Sequence, residues 1–454
     1  MKRTNRDLTE GSIAKSLIRL TAPMILGIVS MIAFNLVDTY FVSQLGETQL
    51  AALTFTFPVI MLIFSLVQGI AIGATALIAR SIGKNDRQKA ARETTDSLLL
   101  AILLAGIFVI LGLVFMKPLF RLMGATESIM PYVLEYMTIW FVAIMFVIVP
   151  FVGNSAIRST GDANTPTIIM LLAVGLNAAL DPILIFGYGV IPAMGLKGAA
   201  YATAISRIFT FIVAFYILMK REKLITLDWP GKAVVWNCWK AILYIGLPSG
   251  FSRMVNPIGM SIVTALIAGF GKEAVAAYGV GTRIEFLALA VYMALGASIG
   301  PFTGQNLGAF KFERIQKGLN QSSVFSILWG LSMALIFSIL ADPIAGIFTD
   351  NESVREYVVW YLRIIPLGFG FQGINMIVNA NLNTMNKPIP ASILLVGHMF
   401  LIYIPLVYAG AQLYDMKGIF FGICAAYILG GFISFILNQK ISRITFRQMR
   451  LKPS

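Results

Sequence analysis

Two pairs of polar side chains lie inside long apolar stretches of this sequence. Asn35 precedes Asp38 by three residues, and Asn177 precedes Asp181 by four residues. Both spacings place the two members of a pair on one face of a helix. Two carboxylates and an amide that converge could hold a proton between them or offer oxygen ligands to a small cation.

Other ionisable residues also interrupt apolar stretches. Glu285 could be a second proton carrier; the alternative is a structural pair with an arginine from another helix. Arg283 does not face it, because residues two apart point in different directions on a helix. His398 could relay protons or simply be hydrogen-bonded in place. The arginines inside apolar stretches are Arg207, Arg253, Arg283 and Arg363.

The composition shows why polar and ionisable residues inside apolar stretches are unusual in this chain. Of 454 residues, 58% are hydrophobic and 12% are charged, whereas soluble domains average about 45–50% apolar and about 25% charged residues. So little charge cannot cover a soluble surface, and the chain is therefore a membrane protein. A charge at mid-membrane costs at least about 2.5–3.5 kcal/mol on insertion scales.

Apolar runs long enough to span a bilayer recur about twelve times, since each span needs roughly 20 residues. The sequence therefore predicts an all-α polytopic membrane protein with about twelve transmembrane helices. The runs are 17–41, 51–79, 97–116, 132–155, 165–187, 196–219, 241–270, 274–304, 321–341, 354–380, 388–413 and 417–438.

Lysine and arginine alternate between the connecting segments. By the positive-inside rule this pattern places both termini in the cytoplasm and accounts for the net charge of +14 without nucleic acid. The basic segments contain Lys2, Arg3, Arg6, Lys15 and Arg19; Lys84, Arg87, Lys89 and Arg92; Lys220, Arg221, Lys223 and Lys232; Lys311, Arg314 and Lys317; and Lys440, Arg443, Arg447, Arg450 and Lys452.

The two halves of the chain resemble each other at an offset of 225 positions, which pairs Pro23 with Pro248 and Gly83 with Gly308. Six helices per half give two parallel six-helix lobes related by a pseudo-two-fold axis along the membrane normal. The predicted domains are an N-lobe (1–220), a cytoplasmic linker (221–240) and a C-lobe (241–454). This architecture favours an alternating-access transporter over a channel.

The acidic pair is not repeated. At the repeat offsets, Val263 occupies the position of Asp38 and Tyr403 that of Asp181. The pair is therefore specific to the N-lobe, as an ion site or as a hydrogen-bonded pair that only joins two helices. Pro23 removes a backbone hydrogen bond from the first span, which permits either a functional bend or a static kink.

Enzyme chemistry is not expected. One histidine and two cysteines cannot build the usual zinc site, and the chain has no Walker-type phosphate loop. A clustered nucleophile and base is also missing. The sequence therefore predicts a protein that is not an enzyme and has no cofactor.

Three segments resemble a known family. They are Asn35-Leu-Val-Asp38-Thr-Tyr-Phe, Asn177-Ala-Ala-Leu-Asp181-Pro182 and Gly198-Ala-Ala-Tyr-Ala-Thr203. With twelve spans in two lobes, they resemble the multidrug and toxic compound extrusion (MATE) transporters over essentially the whole chain. The resemblance implies export of amphipathic, often cationic compounds in exchange for protons or sodium ions.

The resemblance is to the branch called DinF-like. It implies a cation or proton site, with Na⁺ as one candidate ion, at Asp38, Asn177, Asp181 and Thr203, and bending at Pro23. The NorM-like branch adds C-lobe carboxylates in helices 7 and 10. Helix 7 of this chain offers Arg253 and Asn256, and helix 10 offers Gln372, Asn375 and Asn379, without a carboxylate. Phe34 replaces a hydroxylated aromatic residue of the family and is given no role.

The resulting hypothesis is a cation-coupled (H⁺ or Na⁺) multidrug antiporter. The alternative is a lipid-linked oligosaccharide flippase of the same superfamily, which the four arginines inside apolar stretches would suit. We expect a monomer in the plasma (inner) membrane whose partners are drug-like small molecules, the coupling cation and membrane lipids, with no nucleic acid.

Overall fold

The structure, a computed structural model, describes residues 7–451, so Lys2, Arg3, Arg6 and Lys452 lie outside the described residues. Almost all of the described chain is helical, and its one β-type pairing is a bridge between Tyr188 and Ile191. The α-helices are α1 (Ile13–Ser43), α2 (Glu47–Gly83), α3 (Arg87–Leu122), α4 (Met130–Ala143), α5 (Met145–Ser159), α6 (Asn164–Phe186), α7 (Leu196–Tyr216), α8 (Lys232–Arg253), α9 (Val255–Ala268), α10 (Lys272–Gly308), α11 (Phe312–Phe348), α12 (Glu352–Ile364), α13 (Phe369–Thr384), α14 (Pro388–Gly397) and α15 (Ile404–Leu451).

The predicted number of spans is confirmed. Within residues 7–451, ten helical segments are long and apolar enough to cross a membrane, and the bent pair α4–α5 makes an eleventh. The segment Pro388–Leu451 counts as one of the ten, yet its backbone leaves the helical conformation at Tyr414 and Asp415. Dividing that segment at this point gives twelve spans, and the chain is an all-α polytopic membrane protein.

Several spans are broken, and some breaks follow the repeat. The fourth span bends by 45° where α4 meets α5 at Ile144. In the repeat-related tenth span a 3₁₀ turn, Ile365–Gly368, separates α12 from α13. Matching ion pairs also recur: Lys197 binds Glu135 and Lys417 binds Glu356, each at 3.0 Å. The duplication is thus visible in local structure as well as in sequence.

The described chain forms two compact units. The first contains residues 22–250, and the second contains residues 8–21 and 251–451. The segment proposed as a linker packs on α3 within the first unit: Arg92 donates to the carbonyl oxygen of Asp228 at 2.6 Å, and Trp239 donates to that of Asp96 at 2.8 Å. The lobe boundaries at 220 and 240 remain a prediction.

Glycines permit close helix packing in the first unit. A Cβ atom on Gly69 of α2 would lie 2.1 Å from the carbonyl oxygen of Gly246 on α8, and one on Gly73 would lie 2.5 Å from that of Ile242. Only glycine allows backbones to approach so closely. These glycines therefore mark a close contact between α2 and α8.

Candidate functional site

The predicted site residues lie on three helices. Asp38 lies on α1, Asn177 and Asp181 lie on α6, and Thr203 lies on α7. Asn177 and Asp181 are completely buried, whereas Asp38 is 7% and Thr203 8% exposed. We call these four residues the acceptor cluster, for the reason given next.

The cluster has more acceptors than donors. The Asn177 amide donates to Asp181 Oδ1 at 3.2 Å. Asp38 Oδ1, Asn177 Oδ1, Asp181 Oδ2 and Thr203 Oγ1 are buried and have no hydrogen-bond partner among the described residues. A buried polar atom without a partner costs about 1–3 kcal/mol. Four such oxygens on three neighbouring helices form an environment that a proton or a small cation would stabilise.

Charges couple the members of the cluster. The Asp38 and Asp181 carboxylates repel each other electrostatically, and the Arg207 guanidinium attracts that of Asp38. Arg207 lies 4.8 Å from the ring centroid of Phe34, one turn before Asp38 on α1. Tyr136 of α4 also interacts electrostatically with both carboxylates. The site is therefore a pair of carboxylates with one nearby cation.

A tight connection fixes α6 against α7. The amides of Met194 and Gly195 donate to the carbonyl oxygens of Leu184 and Ile185, each at 3.0 Å. A Cβ atom on Gly198 would lie 2.3 Å from the Leu184 carbonyl oxygen, so a larger residue would separate the helices. This contact holds Asp181 beside the start of α7, where Thr203 lies two turns further on.

Sequence reasoning placed some neighbours correctly and others wrongly. Asn35 does not join the cluster, because its amide donates to the Met31 carbonyl oxygen and the side chain is exposed. Arg207 does join it; its position four residues after Thr203 on α7 was the available signal. Tyr136 carried no such signal. Pro23 is tied to α6, since Thr167 Oγ1 donates to its carbonyl oxygen at 2.9 Å.

The three candidate charge sites of the C-terminal half lie in different surroundings. Glu285 of α10 is buried and accepts hydrogen bonds from Tyr361 and Tyr427. Arg283 is exposed and makes no hydrogen bond or ion pair with a described residue. The buried His398 forms a 3.1 Å hydrogen bond with the carbonyl oxygen of Ala426. The structure therefore gives Glu285, Arg283 and His398 different surroundings, with no direct contact recorded among these described residues.

A family model identifies the chain. The model described as MatE matches residues 23–183 and again residues 248–409. The chain belongs to the MATE family. The two matches begin 225 residues apart, which is the offset of the sequence repeat. As members of this family are transporters, the chain is a transporter and not an enzyme.

Relatives of this MATE protein extend over nearly its whole length. A protein of Shewanella oneidensis named FAD transporter is 32% identical over 434 residues, 96% of each chain. The multidrug export protein MepA of Staphylococcus aureus is 24% identical over 421 residues, 91% of each chain. A crystal structure of the Vibrio cholerae MATE transporter VcmN has a TM-score of 0.91 at 28% identity and covers 96% of this chain and 98% of VcmN.

The helix 7 and helix 10 residues of this MATE protein form no second carboxylate site. Asn375 accepts a hydrogen bond from Ser434 at 3.0 Å, and Asn379 donates to the carbonyl oxygen of Ala391 at 3.1 Å. Gln372 Oε1 is buried without a partner among the described residues. Within residues 7–451, no group of three or more histidine, cysteine, aspartate or glutamate side chains could hold a metal ion.

Proposed function

We propose that this MATE protein is an antiporter that exchanges H⁺ or Na⁺ for an exported small molecule, with the ion bound by the acceptor cluster. The observation that carries the proposal is the set of four buried oxygens without partners at Asp38, Asn177, Asp181 and Thr203. In the absence of an ion, this arrangement is unfavourable. A bound ion would remove that cost, so the conformations that bind it would become more populated.

The cluster chemistry suits either ion. The carboxylates of Asp38 and Asp181 can each take a proton, and one proton would relieve their mutual repulsion. The amide and hydroxyl oxygens of Asn177 and Thr203 would complete a shell of oxygen ligands for Na⁺, since hard cations prefer oxygen. Arg207 would interact with Asp38 whenever the ion leaves.

Ion binding would act on export through α1. This helix carries both Asp38 and Pro23, and Pro23 supplies no backbone N–H to the preceding turn. We therefore assign Pro23 as the point where α1 bends when the cluster changes charge. Solved relatives described as a bent form of VcmN and as MATE in a straight conformation support a shape change in this family.

Two substrate classes are candidates. The relative named multidrug export protein MepA supports drug-like compounds as substrates, which the family resemblance implies to be amphipathic and often cationic. The relative named FAD transporter favours a flavin dinucleotide instead. One observation supports an anionic substrate: the half-buried Arg253 makes no hydrogen bond or ion pair with a described residue. A lipid-linked oligosaccharide is less well supported, because Arg363 is exposed and paired with Asp342.

The proposed cellular setting rests on the family for the membrane and on the loop charges for the orientation. We place the protein in the plasma (inner) membrane with both termini in the cytoplasm, as a monomer in contact with lipid. Lys84 after α2, Arg87 and Lys89 at the start of α3, Lys311 before α11 and Arg314 at the start of α11 then face the cytoplasm. Membrane vesicles of known orientation would therefore expose these residues on the cytoplasmic side only.

The deciding experiment is transport by purified protein in proteoliposomes under separately imposed H⁺ and Na⁺ gradients. A fluorescent cationic dye and FAD serve as alternative substrates. Wild type is compared with Asp38→Asn, which removes a carboxylate of the acceptor cluster. The matched control is Asp350→Asn, the same substitution at an exposed loop aspartate.

We expect one gradient to drive transport in the wild type and in Asp350→Asn, and Asp38→Asn to lose at least about tenfold in rate. The gradient that works identifies the ion, and the dye or FAD that moves identifies the substrate class. Equal rates in Asp38→Asn and the wild type would exclude coupling at the acceptor cluster. Transport of lipid-linked oligosaccharide driven by neither gradient would support the flippase.

A further inference from the structure

The second unit contains a buried carboxylate of a different kind. Glu285 lies within α10 and is 8% exposed. Its Oε1 accepts a 2.7 Å hydrogen bond from the Tyr427 hydroxyl, and its Oε2 accepts one from Tyr361. These partners come from α15 and α12, so one carboxylate joins three helices. We call Glu285, Tyr361 and Tyr427 the tyrosine cage.

The other titratable groups near the cage are two tyrosines and one histidine. Tyr278 of α10 packs against Tyr361 with ring centroids 6.1 Å apart. Tyr403 packs against Tyr427 at 5.9 Å, and His398 lies 6.2 Å from Tyr403. Arg283, two residues from Glu285, is exposed on another side of α10. The carboxylate therefore depends on hydroxyl donors and on no described cation.

The cage and the acceptor cluster have opposite hydrogen-bonding character. The acceptor cluster contains oxygens that lack partners, which a metal cation could use as ligands. In the cage both carboxylate oxygens already accept hydrogen bonds, and the nearest groups are hydroxyls that donate. A metal cation would have to turn those donors away. A proton requires only that one tyrosine hydroxyl rotate to become an acceptor, because a protonated carboxyl can still accept one bond while it donates another.

The repeat shows that the two sites occupy comparable places with different residues. At the offset that pairs Lys197 with Lys417, Arg207 corresponds to Tyr427. At the slightly larger offset of 222, Asp181 corresponds to Tyr403, and at the offset of 225 Glu285 corresponds to Ile60. The duplicated scaffold thus carries charged acceptors in one half and tyrosine donors around a single carboxylate in the other.

We propose that Glu285 is a second ion site that takes protons but not metal cations, and that it binds and releases a proton during transport. This proposal rests on the proposed function in one respect, namely that transport is coupled to an ion. The acceptor cluster determines whether Na⁺ can act, while the tyrosine cage adds a dependence on protons alone. Tyr361 and Tyr427 are positioning residues that stabilise the ionised form of Glu285.

The first test reads the protonation of Glu285 directly. Difference infrared spectra between mildly acidic and mildly alkaline buffer are recorded on full-length protein in lipid nanodiscs. The starting variant is Asp38→Asn/Asp181→Asn, which lacks both acceptor-cluster carboxylates. We expect a protonated-carboxyl band that disappears when Glu285→Gln is added and does not respond to Na⁺. A spectrum without a Glu285-dependent band, or a band that Na⁺ displaces, would overturn the proposal.

Tyr427→Phe distinguishes proton exchange from a purely structural role. The substitution keeps the carboxyl and removes one donor to its ionised form, a hydrogen bond to a charged group. We expect the protonated band at neutral pH to grow in Tyr427→Phe and in Tyr361→Phe. An unchanged band in both variants would show that the hydroxyls do not control the proton. These variants keep the test decisive if Glu285→Gln does not fold.

Transport then separates this inference from the proposed function. We expect a proton gradient to stimulate transport at least about tenfold less in Glu285→Gln than in the wild type. Any response of the wild type to Na⁺ should be kept. A wild-type proton dependence in Glu285→Gln would show that Glu285 takes no part in the cycle. Failure of the Asp38 experiment with a positive infrared result would reject the acceptor cluster and leave the cage as the ion site.

Discussion

At the scale of single residues, a buried polar atom without a hydrogen-bond partner is the best guide to function in this protein. Thr203 has a buried hydroxyl without a hydrogen-bond partner among the described residues. Most threonines in these helices instead bond to the carbonyl oxygen of the preceding turn, as Thr167 does to Ala163. Keeping a hydroxyl in an unfavourable state requires a compensating event, and ion binding at Asp38 and Asp181 would supply it.

We therefore expect Thr203→Val to weaken ion binding without destabilising the ion-free protein. Valine has the same shape but no oxygen, so the cost of the unpartnered hydroxyl disappears together with one ligand. The half-saturating ion concentration for transport should rise about five- to tenfold, the effect of about 1 kcal/mol. Thermal unfolding in ion-free buffer should be unchanged or slightly higher in temperature.

Thr203→Ser is the matched control, because it keeps the hydroxyl. It should retain an ion dependence close to that of the wild type. If Thr203→Val also transported with wild-type ion dependence, Thr203 would have to be removed from the acceptor cluster, and three oxygens would remain.

Helical spacing in the sequence reveals only part of the site. A polar residue in an apolar run is conspicuous, and a spacing of four residues predicts that Asn177 and Asp181 share a face. Thr203 is expected from the family resemblance, and Arg207, four residues after it, is not among the predicted site residues. Tyrosines are different, since Tyr361 or Tyr427 in an apolar run could equally face lipid. Their roles depend on which helices pack together, and no local spacing encodes that.

At the scale of helices, composition determined how many spans there are but not where they bend. The run 132–155 looks continuous, yet it is broken at Ile144, an apolar residue without any proline or glycine signal. Asp415 has a positive φ of 51° and ends the first part of α15. The length of an apolar run shows whether that run can cross a bilayer. Breaks depend on tertiary contacts, which the run does not specify.

Pro23 is the exception, because a proline in the sequence shows where the backbone hydrogen bonding of α1 is interrupted. We expect Pro23→Ala to fold at least as stably as the wild type, since an interior proline costs a soluble helix about 3 kcal/mol and alanine restores the missing N–H. Transport should nevertheless fall several-fold if α1 must bend. Transport rate and thermal unfolding measured on the same preparation would separate the two effects.

Pro118→Ala in α3 provides the comparison, because that helix contributes no residue to either ion site. It should leave the transport rate near that of the wild type. Equal losses in both proline variants would indicate a general effect of helix stiffness and would remove the special role of Pro23.

At the scale of the whole molecule, a duplicated scaffold has kept its architecture and diverged in its chemistry. The ion pairs Lys197–Glu135 and Lys417–Glu356 are retained in both halves. The acceptor cluster and the tyrosine cage each occur in only one half. The two halves thus share the ion pairs that hold helices together, while their polar interiors differ. Under both proposals, the consequence is one transporter with two unlike ion sites.

Coupling in such a transporter must be reciprocal. If the coupling ion lowers the affinity for the exported compound by some factor, the compound lowers the affinity for the ion by the same factor. For wild-type protein in detergent we expect a factor within the usual range of about 5–150, measured by titrating substrate at low and saturating ion and then ion at low and saturating substrate. In Asp38→Asn the factor measured with Na⁺ should approach one, whereas coupling to protons through Glu285 should remain. Two unequal factors would mean that at least one titration is not at equilibrium, whereas a factor of one in the wild type would rule out antiport, because ion and substrate would then bind independently.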